Sequence, residues 1–286
     1  MSIAVTGATG QLGRLVIESL IERQVAPEEI VAVVRNADKA QDLAERGIRI
    51  AVAAYEDADA LKAALEGVQR LVMVSGSEIG KRVAQHSNVI QAAQAAGVQL
   101  IAYTSLLGVE TSTLNLAPEH RETEQLLAES GIGHVLLRNG WYWENYASAI
   151  APAREYGKMF GAAGTARVNG AARRDYAEAA AAVITTEAQE GRVYELAGEP
   201  ALSYPEIAAR IGGLLEREVD YIDQTVEEYA QVLQQAGLPE QVAGFVAEMD
   251  RGIADGALES DSGGSADPAR APGHHDRAGA RGLRLS

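Results

Sequence analysis

The stretch Ile3-Ala4-Val5-Thr6-Gly7-Ala8-Thr9-Gly10-Gln11-Leu12-Gly13 decides how the rest of the chain is read. A short apolar run ends in glycines at positions 7, 10 and 13, and an amphipathic segment, Leu15-Val16-Ile17 through Leu20-Ile21, follows at once. That order predicts a strand, a tight turn and the start of a helix. The first glycine permits the turn, the second lets backbone approach a pyrophosphate, and the third lets the helix sit close on the strand. Backbone N–H groups across Gly7, Ala8, Thr9, Gly10, Gln11 and Leu12, with the positive end of the helix dipole, then face the phosphates. A glycine motif alone says little. Its strand-to-helix context, opening a regular alternation of strands and helices, is what points to a dinucleotide.

Working outward, Ile30-Val31-Ala32-Val33-Val34 reads as a buried parallel strand followed by Arg35. In the NAD version of this fold an acidic residue near that strand end accepts the ribose 2′-hydroxyl. Here a guanidinium stands instead, which suits a 2′-phosphate and favours NADPH. Further strands are expected at Ile48–Val52, Leu71–Val74, Leu100–Ser105 and His134–Arg138, with helices at Asp38–Arg46, after an Asp57 cap, at Val83–Ala96 and at Pro118–Ser130. The fold class is therefore α/β, a Rossmann-type doubly wound parallel sheet with a smaller C-terminal α/β substrate lobe. Residues 1–140 are read as the dinucleotide domain, with 170–198 returning to it, and 141–258 as the smaller lobe.

Ligands of open α/β sheets bind beyond the carboxyl ends of strands. Ser75-Gly76-Ser77 ends one strand, so it is read either as lying along the cofactor or as a plain loop into the next helix; Thr104 and Ser105 end another. His86 sits within a helix without a visible partner and is read as packed or solvent-facing rather than catalytic. The run Asn139-Gly140-Trp141-Tyr142-Trp143-Glu144-Asn145-Tyr146 carries both tryptophans directly after a strand end. It either packs the lobe interface or forms a platform for a flat substrate. Glycine-rich 157–170 is read as a mobile loop over the same opening. Ser203–Glu206 and Thr225–Glu228 are capping boxes of helices in the second lobe, the last helix running to about Ala254.

Composition narrows the function classes. The formal charge is -15, from 25 basic and 40 acidic residues, which disfavours nucleic acid and anionic membrane. The absence of cysteine excludes disulfides and thiolate chemistry, and the five histidines show no zinc spacing, so no metal is expected. No apolar run approaches a bilayer span and a strand begins at once, so the expectation is a cytoplasmic protein without a signal peptide.

With these residues in hand, the chain resembles the NmrA-like group of atypical short-chain dehydrogenase/reductases, most specifically over Val5–Gly13, Ile30–Asn36, Ile101–Leu107 and Leu136–Tyr146. The resemblance implies NADPH held by the glycine turn and Arg35, with the nicotinamide reaching Ser75, Gly76, Thr104 and Asn139, Gly140, Trp141 and Tyr142. The usual short-chain Tyr-x-x-x-Lys pair is missing. Setting Glu124 on the glutamate that follows that lysine puts His120 at the lysine place and Leu116 at the tyrosine place. Reducing a ketone to an alcohol needs an acid at the developing alkoxide, so such chemistry is disfavoured. Quinone reduction needs less, because water can protonate the stabilised hydroquinone anion. The expected function is hydride transfer from NADPH to a quinone or similar flat conjugated acceptor. Asn139 and Tyr142 are the candidate catalytic residues, and His120 is a candidate for orienting ribose or carboxamide. The same residues are compatible with an NADP-binding redox sensor that relays cofactor state without turnover. A small quinone-like molecule is the expected partner; a homodimer stays open.

Beyond Glu259 the chain turns to Gly, Ala, Pro, Arg, Asp and Ser, a composition that builds no core. Arg270–Arg277, back-translated and read one base later, allows Gly-Arg-Pro-Ala-Thr-Thr-Ile-Glu, similar to the family's closing segment. The expectation is a disordered tail over 259–286 created by a frameshift near Gly263, in which His274-His275 is no metal site.

Overall fold

A computed structural model of the chain describes residues 1–260. The expected tail lies, from residue 261 on, outside the described residues. The sheet elements come first: β1 (Ile3–Thr6), α1 (Gln11–Glu22), β2 (Ile30–Val34), α2 (Gln41–Glu45), β3 (Arg49–Val52), α3 (Ala58–Ala64), β4 (Arg70–Met73), α4 (Arg82–Ala96), β5 (Leu100–Leu106), α5 (Ala117–Glu129) and β6 (Gly133–Asn139). Then follow α6 (Ile150–Tyr156), β7 (Lys158–Gly161), β8 (Arg167–Val168), α7 (Arg173–Thr185), β9 (Val193–Leu196), β10 (Leu202–Ser203), α8 (Tyr204–Leu215), β11 (Asp220–Asp223), α9 (Val226–Gln235) and α10 (Glu240–Ala254).

Seven strands form one parallel sheet in the order β3-β2-β1-β4-β5-β6-β9. The chain starts in the middle, winds outward through β2 and β3, and returns to cross over between β1 and β4. That reversal makes the crevice where doubly wound sheets bind ligands. The central strands are buried on both sides because helices cover both faces, which is why they read as unbroken runs of branched apolar residues. Val5, Ala32, Ala102 and Leu137 pack with α1 and α7 on one face, while Ala4, Val31, Ile101 and Tyr103 pack with α3, α4 and α5 on the other. The β9 strand adds beside β6, and α7 packs on α1, so the stretch after residue 170 rejoins the sheet.

Local signals act as expected. The Asp57 carboxylate accepts the Ala60 N–H at 2.9 Å and starts α3. Gly131 leaves α5 with φ +73. Both capping boxes close reciprocally, Ser203 with Glu206 and Thr225 with Glu228.

One expectation fails. Residues 157–170 are not a mobile loop: they hold β7, paired in parallel with β11, and β8, paired antiparallel with β10. Their glycines serve close packing. A Cβ on Gly161 would lie 2.9 Å from the Asp250 carboxylate, and one on Gly170 would lie 2.9 Å from the Trp143 ring. A separate core of Tyr146, Met159, Tyr204, Ile207, Ile211, Met249 and Ile253 holds these short sheets to α8 and α10.

Candidate active site

The parallel register brings the carboxyl ends of β1, β2, β4, β5 and β6 to one edge of the sheet. At β1 the turn closes through a Gly10 N–H to Gly7 carbonyl hydrogen bond of 2.8 Å, with Gly7 at φ +59. A Cβ on Gly13 would fall onto the Gly7 carbonyl, and one on Gly10 would lie 3.0 Å from it. The turn can therefore be this tight only with glycine. No side chain caps α1 and no acidic residue occupies its first turn, so the leading N–H groups of the helix present positive potential at the crevice. That is a cradle for an anion, and it fits a pyrophosphate.

Arg35 leaves the end of β2 with its side chain 73% exposed, and its Nη1 lies 3.4 Å from Glu78 Oε1. The pair is long and solvent-screened, so it restrains the guanidinium only weakly. Lys81 flanks the same carboxylate at 3.1 Å, and these neighbours keep Glu78 below the usual carboxylate range.

At β4 and β5 the expected residues are tied to one another. The Ser75 N–H donates to Thr104 Oγ1 at 2.9 Å, and the Gly76 N–H donates to His86 Nε2 at 2.9 Å. These two amides are engaged within the protein, and the Ser75 hydroxyl, 3.4 Å from Thr104 Oγ1, is the more loosely held polar group of the turn. A Cβ on Gly76 would lie 2.8 Å from Gln85 Oε1, the movable end of a side chain.

At β6 the aromatic run divides. Tyr142 turns toward the sheet core, edge-on to Tyr176 at 5.1 Å, with the Arg173 guanidinium 4.9 Å over its ring. Burial raises its pKa. Trp141 and Trp143 pack instead against the core of the second lobe, as does Tyr146. Asn139 is 3% exposed; its Nδ2 donates to the Tyr142 hydroxyl at 3.2 Å and its Oδ1 is buried without a partner. Whichever way the amide is turned, one of its polar atoms lacks a protein partner. A buried orphan of this kind is costly unless a ligand completes it, and a carboxamide matches its donor and acceptor. Trp141 Nε1 is likewise buried without a partner, and the Tyr146 hydroxyl, with Tyr204 and Trp141 around it, makes no hydrogen bond of good geometry. Gly140 is confined by the Tyr176 hydroxyl and the carbonyls of Asn169 and Leu196, all within 3.1 Å of where its Cβ would be.

His120 is 5% exposed on α5, and its Nδ1 meets the Tyr103 hydroxyl at 2.7 Å. Burial, then the charge of Arg82, pushes its pKa down to about 3. It is a neutral imidazole facing the layer behind β5, and it offers no proton at neutral pH. His86, read from sequence as packed or solvent-facing, is fully buried; its Nδ1 meets Thr123 Oγ1 at 3.0 Å while Nε2 serves Gly76. Arg82, Tyr103 and Glu119 share this layer without any mark in the sequence, because α4 and α5 show no pairing signal along the chain. Equally unmarked is Glu144, whose carboxylate takes the Arg173 N–H at 3.0 Å and caps α7 beside Tyr142. Among the described residues no cluster of three or more His, Asp or Glu is arranged to hold a metal.

Known proteins share this architecture. Quinone oxidoreductase 2 of Escherichia coli (strain K12) is 50% identical over 260 residues, covering 91% of both chains. The crystal structure of the NADPH-dependent Escherichia coli quinone oxidoreductase QOR2 complexed with NADPH superposes with TM-score 0.87 at 50% identity, covering 91% of this chain and 92% of that one. Triphenylmethane reductase of Citrobacter sp., complexed with NADP(H), superposes with TM-score 0.87 at 34% identity over 92% of this chain and 93% of its own. The NmrA-like family model matches residues 1–269. With the glycine cradle, the sheet order and a family match over residues 1–269 in agreement, this chain belongs to the NmrA-like family.

Proposed function

We propose that the protein is an NADPH-dependent oxidoreductase that reduces quinones or similar flat conjugated acceptors. The observation that carries the reading is the row formed by the uncapped glycine turn of α1, Arg35 and the unpartnered Asn139 amide along one sheet edge. Within the turn from Gly7 to Leu12 the Ala8 and Gly10 amides are taken by the Val33 and Gly7 carbonyls, and the remaining amides, with the first turn of α1, would hold the pyrophosphate. Arg35, exposed and weakly paired, would turn from Glu78 to the 2′-phosphate. Asn139, braced by Tyr142, would bind the carboxamide, with Ser75, Gly76, Thr104 and Gly140 forming the wall along the nicotinamide ribose. Bound there, NADPH supplies a hydride, so that an acceptor quinone plus one proton from solvent leaves as hydroquinone.

The chain's own residues position and exclude water rather than exchange protons. With Glu124 set on the short-chain glutamate, Leu116 would take the place of the tyrosine acid and the neutral His120 that of the lysine, and Tyr142 keeps its proton at neutral pH. Trp141, on the lobe of residues 141–258, would supply an apolar face to the acceptor. A hydroquinone anion needs no protein acid, which is why this constellation suits quinones better than ketones. The acceptor is thus the partner, in a cytoplasmic protein of net charge -15 that shuns nucleic acid and anionic membrane. No described helix is long and apolar enough to cross a membrane.

The test is NADPH oxidation followed with a panel of quinones. Turnover with benzoquinones or naphthoquinones, and none with simple aliphatic ketones, is the expected result. Tight NADPH binding with no acceptor turned over would replace this reading with that of a redox sensor.

A further inference from the structure

The turn between β4 and α4 is held by polar side chains of α4 and α5, of which His86 and Arg82 are buried. Gly76 is bound at both of its backbone polar groups: its N–H donates to His86 Nε2 at 2.9 Å, and its carbonyl accepts from Arg82 Nε at 2.8 Å. Both side chains come from the first turns of α4, and both are buried, at 0% and 4% exposure. Arg82 in turn donates from Nη1 to Glu119 Oε2 at 2.6 Å, and the other oxygen of Glu119 accepts the Gly80 N–H at 3.0 Å. One largely buried ion pair between α4 and α5, its Glu119 side chain 17% exposed, therefore secures the turn at Gly76 and again at Gly80.

The direction of the hydrogen bonds follows from the donors. An amide N–H can only donate, so His86 Nε2 is an acceptor and the ring proton lies on Nδ1. That proton goes to Thr123 Oγ1 at 3.0 Å, and the Thr123 hydroxyl donates onward to the Glu119 carbonyl at 2.8 Å. Every step has one donor and one acceptor. Burial and the nearby Arg82 charge keep the imidazole neutral, which this arrangement requires. The opposite end of the turn bears on the crevice: Ser75 is tied to Thr104, and Glu78 stands beside Arg35.

We infer that His86 and Arg82 are positioning residues for the cofactor, acting through the two backbone groups of Gly76 to hold the 75–80 turn in its binding shape before the ligand arrives. This rests on the proposed NADPH site. A loop that carries five consecutive non-helical residues ahead of a Gly80 at φ +78 would otherwise have to be ordered on binding, and pre-ordering it removes that cost from the affinity. The role belongs to the cofactor half of the site, so acceptor recognition by Trp141 is left unaffected.

The test separates the two nitrogens of His86. In His86→Gln the side-chain amide oxygen reaches the place of Nε2 and can still accept from Gly76; in His86→Asn the amide reaches only the place of Nδ1, keeping Thr123 and losing Gly76. Arg82→Lys keeps a cation facing Glu119 and loses the Nε donor to Gly76. NADPH Kd, acceptor KM and the thermal midpoint of the ligand-free protein are measured for each, with hydrogen exchange of the 75–80 amides. His86→Asn and Arg82→Lys should each raise NADPH Kd by about tenfold and speed exchange at Gly76, with acceptor KM within about twofold, whereas His86→Gln should stay within about threefold of wild type. Equal NADPH Kd for the Asn and Gln variants, or Kd values that follow the thermal midpoints alone, would overturn the inference and leave a merely structural role. Should a variant fail to fold, faster Gly76 exchange in the remaining one with unchanged Kd overturns it equally. Wild-type protein that binds no NADPH overturns the proposed site itself, and this inference with it.

Discussion

The proposed 2′-phosphate site rests on one side chain, Arg35. Its identity at the end of β2 replaces a carboxylate by a guanidinium, and the structure leaves that guanidinium outward with one distant partner. Arg35→Ala should weaken NADPH by about tenfold or more while changing NADH by less than about threefold, as read by titration of both cofactors; equal losses would remove the 2′-phosphate assignment. Trp141 is proposed for the other half of the reaction. Trp141→Ala should raise acceptor KM by roughly fivefold to tenfold with NADPH Kd little changed, because its ring packs toward the second lobe and not against the sheet. The reverse pattern would return Trp141 to a packing role. Both residues stand out in the sequence by type and place. His86 does not: a lone histidine inside a helix announces nothing, and its value comes from Gly76, ten residues earlier, folding back over it.

Among elements, the contact between β1 and α1 is a demanding one. Gly13 lies inside the first turn of α1, where any Cβ meets the Gly7 carbonyl, and backbone cannot yield as a flexible side chain can. Gly13→Ala should therefore push α1 away from the turn, lowering stability by about 1–3 kcal/mol and NADPH affinity with it. Chemical denaturation with and without NADPH checks this; an unchanged midpoint and unchanged binding would mean that the approach is looser than the geometry requires. The elements of the sheet were legible because burial on both faces demands unbroken apolar runs and because Asp57, Gly131 and the capping boxes mark helix ends chemically. Residues 157–170 misled for an equally physical reason. Glycine-rich composition is shared by mobile loops and by strands that must lie close to a neighbour, and only the partners, Tyr204, Asp250 and Trp143, distinguish the two.

Across the whole molecule, acid stability is set by groups that burial has driven in opposite directions. His86 and His120 have pKa values pushed down to about 3 from 6.5, so the unfolded chain binds more protons than the native one between those limits. Their contribution is present above about 6.5 and is lost as pH falls toward 3. Asp250, desolvated between β7 and α10, has its pKa pushed up to about 6 from 3.8, so it opposes them: native protein keeps a proton there that the unfolded chain has released. Two histidines outweigh one aspartate. The thermal midpoint should drop on the order of 5 °C or more on going from about pH 6.5 to about pH 4.5. Asp250→Asn should steepen that drop and His86→Gln should flatten it, as followed by circular dichroism; a midpoint indifferent to pH would mean that neither histidine is held neutral. The sequence by itself determined the doubly wound sheet, the dinucleotide turn and the absence of a Tyr-Lys pair, because each rests on local periodicity, a required φ or the chemistry of a single side chain. Only the tertiary structure decided that Tyr142 and Trp141 face different cores, that Asn139 is left with an unpartnered amide atom, and that Arg82, Glu119 and His86 stand behind Gly76. Those relations join residues from separate helices and strands, and partners brought together by packing leave no spacing in the chain from which to read them.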